Sequence, residues 1–204
     1  MKALFLIAAL LATALTASAE EWQTLFKTGD DLKHWKAAEN PESVKLNDEG
    51  NLVLNGERAH LFYMGADGEA SWKNFEFEIQ FKTSENANAG VFFHTTWQEK
   101  GWPGKGYEAQ INATHKDPRK TGSIYAFKDV AEPGHKDEQW VTMTVKVVDN
   151  TATVSVNGEV TNEYTQPEDH KPAKKRFDEG TFALQAHDPG SVVVVRSFKV
   201  KRLP

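Results

Sequence analysis

The sequence predicts an all-β fold, a sandwich or jelly roll of two antiparallel sheets. Three observations predict it. Apolar and polar residues alternate with period two from Leu52 onward, turn dipeptides separate short alternating runs, and no long segment carries a helical period. Antiparallel sheets of this kind give one face to the core and leave the other for water or a ligand.

The elements follow in chain order. Residues 25–35 hold room for one helical turn. Residues 51–54 are a strand ending at Asn55-Gly56, a pair that favours a tight hairpin turn. Residues 75–81, Phe-Glu-Phe-Glu-Ile-Gln-Phe, alternate without a break and make a half-buried strand. Residues 90–95 and 107–111 are two more strands, and 122–127 a shorter one. Residues 141–148, 152–156 and 159–164 form a meander turned by Asp149-Asn150 and Asn157-Gly158. Residues 166–178 are a charged loop containing proline. Residues 181–187 and 191–201 close the chain as a hairpin around Asp188-Pro189-Gly190.

The N-terminus is a targeting segment. Met1-Lys2 precedes an uncharged apolar run over 3–15, and Ala17-Ser18-Ala19 has the small residues of a cleavage site. This is the pattern of a secretory signal peptide, residues 1–19. The apolar run is shorter than the roughly 20 residues a membrane-spanning helix needs. The remaining 185 residues, 20–204, suit one domain with a substantial core. A soluble exported protein with no membrane span is expected, periplasmic or extracellular.

Composition excludes several chemistries. The chain has no cysteine, which removes disulfides, thiol nucleophiles, cysteine metal sites and lipid attachment at an N-terminal cysteine. Without Lys2, 23 basic side chains face 29 acidic ones, a net charge of −6. That disfavours nucleic-acid binding, which needs a basic face. The basic cluster Lys171, Lys174, Lys175 and Arg176 is taken as a solvated loop. The chain has no GxSxG elbow, HExxH, P-loop or dinucleotide glycine fingerprint.

Alternation assigns side chains to faces. In 107–111, Glu108 and Gln110 point opposite to Tyr107, Ala109 and Ile111. In 91–94, Phe92 and His94 share a face. In 181–187, Phe182, Leu184 and Ala186 form a core set, so Gln185 and His187 point away from it. Three strands therefore offer polar groups on a non-core face. Trp97 and Trp102 lie in the loop between two of them, and aromatic rings of this kind suit the apolar faces of sugars.

The order of motifs points further. It runs Trp22-Gln-Thr-Leu-Phe26, Asp31-Leu-Lys-His-Trp35, Trp72-Lys-Asn-Phe-Glu-Phe-Glu78, Asn88-Ala-Gly-Val-Phe-Phe-His94 and Gly106-Tyr-Glu-Ala-Gln110. Then come Thr121-Gly-Ser-Ile-Tyr125, Trp140, Asn157-Gly158, Leu184-Gln-Ala-His187 and Val195-Arg-Ser-Phe-Lys-Val200. This series resembles the secreted 3-keto-disaccharide hydrolase family over essentially the whole mature chain. The resemblance implies a concanavalin-like jelly roll with a site on a concave face, an oligosaccharide or glycoside ligand, and action on glycosides oxidised at carbon 3. It places His94, Glu108, Gln110, Tyr125 and His187 on that face, with Lys128 after Tyr125. Two positions depart from the family pattern: Phe-Phe-His94 stands where Phe-Phe-Arg is frequent, and Asp188 replaces the usual glycine after the late histidine.

A ketone at carbon 3 acidifies the hydrogen on carbon 2. A base can remove it, the enolate can expel the group on carbon 1, and water addition completes net hydrolysis. His187 or His94 would be the base, because imidazole titrates near pH 7. Glu108 would be the acid/base partner or an orienter, and Gln110, Tyr125, Gln185, Trp97, Trp102 and Lys128 would bind the sugar. In an alternative assignment His94, Glu108 and His187 ligate a divalent metal that polarises the ketone. Two non-enzymatic alternatives use the same features: a carbohydrate-binding module and a laminin-G-like interaction domain.

Overall fold

A computed structural model describes residues 21–68 and 70–204. The expected signal peptide, residues 1–19, lies outside them. Among the described residues, thirteen strands form two antiparallel sheets. The strands are β1 (Gln23–Phe26), β2 (Trp35–Glu39), β3 (Val44–Leu46), β4 (Leu52–Leu54), β5 (Ala59–Tyr63), β6 (Phe75–Thr83) and β7 (Ala89–Thr95). They continue with β8 (Tyr107–Ile111), β9 (Val141–Val148), β10 (Thr151–Val156), β11 (Glu159–Thr165), β12 (Thr181–Ala186) and β13 (Val193–Arg202).

The large sheet runs β11-β10-β9-β6-β13-β4-β3, with β1 also paired to β13. The small sheet runs β2-β5-β12-β7-β8. In β6 the expected alternation holds: Phe75, Phe77, Ile79 and Phe81 are fully buried and the residues between them are half-exposed. They meet Val91 and Phe93 of β7 and Phe182 and Leu184 of β12 in one core. Phe182 is a hub of this core, with ring centroids 5.7 Å from Phe77, 5.5 Å from Phe198 and 4.9 Å from Trp72. Burying each such ring stabilises the fold by roughly 2–3 kcal/mol.

The helical turn expected in 25–35 is a 3-10 turn, Gly29–His34, whose start is held by the Asp31 carboxylate accepting from the N–H groups of Lys27 and Thr28. The meander β9-β10-β11 pairs as expected. Two expectations fail. The run 122–127 is not a strand, because Ala126 turns at φ +64° and Ile124 makes only isolated bridges, to Ala109 and Lys128. Strands β12 and β13 do not form a hairpin. The Asp188 turn instead carries the chain from the small sheet to the large one, pinned where Asn55 Nδ2 donates to the Pro189 and Ser191 carbonyls.

Strands β7 and β12 are buried on both faces. Ala38, Phe62, Phe92 and Ala183 form a second apolar cluster on the outer face of the small sheet. Loops cover that face, and a cleft lies beneath them.

Candidate active site

Two loops meet over the outer face of the small sheet. Residues 96–106 join β7 to β8, and residues 166–180 join β11 to β12. Lys175 Nζ donates to the Pro103 carbonyl at 2.9 Å, and the Gly106 N–H donates to the Lys174 carbonyl at 2.9 Å. Beneath them lies a cleft of about 440 Å³. Asn88, Phe92, Glu108, Gln110, Gln185 and His187 line its sheet side, and Trp102, Tyr125 and Lys175 its loop side.

Glu108 leaves β8 on this face and leans across β7. It can do so because position 90 is glycine: a Cβ there would sit 2.2 Å from Glu108 Oε1. Gln185 Nε2 donates to the same oxygen at 3.3 Å. Burial raises the Glu108 pKa to about 8, against the pull of the Lys175 ammonium and the Gln185 bond, while Asp117 adds to the rise. At neutral pH the group is therefore mostly a carboxylic acid, which can give a proton. Burial in turn lowers the Lys175 pKa, opposed by the charge of Glu108.

His187 follows β12 directly. Its Nδ1 lies 2.7 Å from Asp188 Oδ2. Burial alone would raise the Asp188 pKa, but bonds from His187, Ser191 Oγ and the Gly190 N–H outweigh it and hold the carboxylate below its usual range. Asp188 thus accepts a hydrogen bond from the Nδ1–H, and the lone pair lies on Nε2. Asn88 Nδ2 faces that nitrogen at 3.4 Å. Gln110 Nε2 donates to Asn88 Oδ1 at 2.8 Å, which turns the Asn88 amide so that its NH₂ points at His187. The network assigns an imidazole tautomer that can accept a proton at Nε2. Gln110 Oε1 and Gln185 Oε1 are buried without a partner, as acceptors awaiting a hydroxyl would be.

Tyr125 lines the cleft with its ring while its hydroxyl bonds Asp117 at 3.4 Å. Trp102 packs beside His187, with centroids 5.3 Å apart. Trp97 lies elsewhere, stacked on Phe62 at 6.0 Å with Lys36 Nζ 4.1 Å over its ring. Lys128 is also outside the cleft, with Nζ on the Glu163 carbonyl at 2.6 Å.

His94 does not share a face with Phe92. Thr181 pairs with Thr95 and Ala183 with Phe92, so Phe93 and His94 together oppose Phe182. This bulge puts His94 at φ +53° and turns its ring toward the core, 5.3 Å from Phe75. Its Nε2 donates to the Lys73 carbonyl at 2.7 Å, and its Nδ1 accepts from the Asp178 N–H at 3.3 Å. Burial lowers its pKa to about 4. Both ring nitrogens are spent on backbone, so His94 is a neutral latch, and His94, Glu108 and His187 do not assemble as metal ligands. Among the described residues no three His, Cys, Asp or Glu side chains group to hold an ion.

Sequence reasoning missed Asn88, Asp188 and Lys175. Asn88 stood one residue outside the strand, and Lys175 was hidden in an ordinary basic cluster. Only Asp188 carried a signal, as a carboxylate beside a candidate base.

Residues 21–201 match the sequence pattern of the 3-keto-alpha-glucoside-1,2-lyase-like domain. The chain belongs to this family. Solved structures share the fold of this chain. A candidate glycosyl hydrolase from Parabacteroides distasonis is 25% identical, with a TM-score of 0.68, over 90% of this chain and 100% of that one. A second from the same organism is 20% identical, with a TM-score of 0.72, over 90% and 94%. A carbohydrate-binding module of family 66 from Bacillus subtilis is 11% identical, with a TM-score of 0.55, over 88% and 94%. No curated protein matches this chain's sequence.

Proposed function

We propose that the protein cleaves 3-keto-glycosides, 3-keto-disaccharides among them, by elimination across carbons 1 and 2 followed by hydration. The observation that carries this reading is that one cleft holds a buried carboxyl group, Glu108, whose pKa burial raises to about 8, and an imidazole, His187, whose Nδ1 is held by Asp188 and whose Nε2 meets only the long contact from Asn88 Nδ2. Family membership and the two candidate glycosyl hydrolases of the same fold support it.

His187 Nε2 takes the proton from carbon 2, and the C–H electron pair forms the C2=C3 enolate. The Lys175 ammonium, held in the partly dry cleft, offsets the charge on the carbon-3 oxygen. The enolate then restores the ketone and forms the C1=C2 bond while the bond from carbon 1 to the leaving oxygen breaks. Glu108 gives its proton to that oxygen. In the return half, carboxylate Glu108 takes a proton from water as the oxygen adds to carbon 1, and His187 returns a proton to carbon 2. Both groups end as they began, and the net reaction is hydrolysis. Asn88, Gln110 and Gln185 would bond the sugar hydroxyls, with Tyr125 and Trp102 as walls. The export signal expected at 1–19 would place this chemistry in the periplasm or outside the cell. Among the described residues no helix is long and apolar enough to cross a membrane.

The test is turnover of a 3-keto-glucoside together with hydrogen exchange at carbon 2 in heavy water. His187→Ala should lose both, by about 10²–10⁴-fold. Glu108→Gln should lose turnover but keep exchange. Wild-type rates in both variants would overturn the assignment. Binding of the keto-sugar by the wild-type protein with neither exchange nor turnover would favour a carbohydrate-binding role.

A further inference from the structure

His60 of β5 lies beside the cleft without lining it. It is only 1% exposed, and both of its ring nitrogens are buried without a hydrogen-bond partner. Polar atoms in that state are costly and uncommon. Its position is not random. His60 pairs in register with Gln185, the residue that donates to Glu108. Its ring sits 5.3 Å from Phe92 and 5.4 Å from Trp102, both of which line the cleft. Gln185 Oε1 is likewise buried and unpartnered. Burial also lowers the His60 pKa to about 4, so at neutral pH the ring offers one N–H donor and one acceptor, the pair a hydroxyl needs.

Trp102 is what covers His60. It is 47% exposed, follows Gly101 at φ +81° and lies two residues before Gly104. Lifting the ring gives up its contacts with the Arg58 guanidinium, 5.0 Å away, and with His187, which a stacked sugar would replace. Gln98 Nε2 donates to the carbonyls of Lys100, Gly101 and Trp102, so the loop backbone stays tied while the ring moves.

We propose that His60, Gln185 and Trp102 form a second subsite that binds the hydroxyls of the sugar leaving group, with the Trp102 ring lifting from His60 to stack on that sugar. The proposal rests on the reading of Glu108 as the acid. The group that Glu108 protonates must lie beside Glu108, and the path from Glu108 through Gln185 leads to His60. The keto-sugar lies against Asn88, Gln110 and His187, and Trp102, whose ring is 5.3 Å from His187 and 5.4 Å from His60, stands at the boundary between the two sugars. A leaving group with hydroxyls satisfies the orphaned nitrogens of His60, and one without them does not.

The experiment compares a 3-keto-disaccharide with the methyl 3-keto-glucoside, whose leaving group is methanol. His60→Leu, which fills the same space, should lower kcat/KM for the disaccharide by ten-fold or more and change the methyl glycoside less than two-fold. Equal losses on both substrates, or no loss on either, overturn the subsite. If the wild-type protein cleaves neither compound, the proposed reaction fails, and binding decides the subsite alone. For that purpose both compounds are titrated calorimetrically into Glu108→Gln and into Glu108→Gln with His60→Leu. Weaker binding of the disaccharide alone supports the subsite, and unchanged binding of both overturns it.

Discussion

Glu108 owes its chemistry to an absent methyl group. Its carboxyl crosses β7 only because Gly90 has no Cβ. Gly90→Ala should therefore leave the fold intact, push the carboxyl off its bond with Gln185 and lower kcat by about ten-fold or more, measured on a 3-keto-glucoside. The raised pKa has a second consequence. Between pH 4.5 and about 8 the folded chain keeps a proton that the unfolded chain has released. The contribution of this group to stability is full below pH 4.5 and is lost as pH rises through about 8. Glu108→Gln should match the parent Tm near pH 4 and exceed it above pH 8 in thermal scans. Turnover should fall on the same alkaline side, and Lys175→Met, which removes the opposing charge, should shift that fall to higher pH. The polar faces of Glu108, Gln110 and Gln185 were legible from alternation alone, because each sits in a regular strand. Asn88 and Lys175 were not, because a residue outside a strand carries no periodic signal.

At the scale of elements, the bulge in β7 decides which histidine faces the cleft. Alternation assigns His94 to the side of Phe92, and one extra residue reverses it. Two glycines make the reversal fit. A Cβ on Gly106 would lie 2.1 Å from the Phe93 carbonyl oxygen, and one on Gly180 would lie 2.4 Å from that of Thr95. Gly106 is also at φ +76°, where a side chain is strained. Gly106→Ala should cost more than about 2 kcal/mol in urea unfolding. His94→Ala should also lose stability, because it strips the bonds to Lys73 and Asp178, while the folded fraction keeps carbon-2 hydrogen exchange. Loss of exchange at full stability would return His94 to the chemistry. The closing strands teach a similar lesson. Asp188-Pro189-Gly190 has the composition of a turn whether the next strand pairs beside the last or starts the other sheet, and local sequence does not separate the two.

At the scale of the molecule, the period-two runs of β6, β9 and β13 were enough for the sandwich, since each half-buried strand must bury its apolar face on a second layer. Strands β1, β2, β3 and β5 escaped, β5 because it is buried on both faces and shows no alternation. Phe182 ties the layers together, and Phe182→Ala should cost about 3–5 kcal/mol by chemical denaturation. That is a large share of the 5–15 kcal/mol typical of a domain. The crossing at Asp188 carries a mechanical implication. His187, the proposed proton acceptor, is mounted on the joint between the two layers, and Glu108, the proposed donor, on the outermost strand of the small sheet. The turn beside His187 is pinned by Asn55, which follows β4 of the other sheet, so loosening the layers should misalign the pair before either layer melts. Activity should therefore decline at urea concentrations where circular dichroism still reports intact strands, so that catalysis acts as a strain gauge for the sandwich.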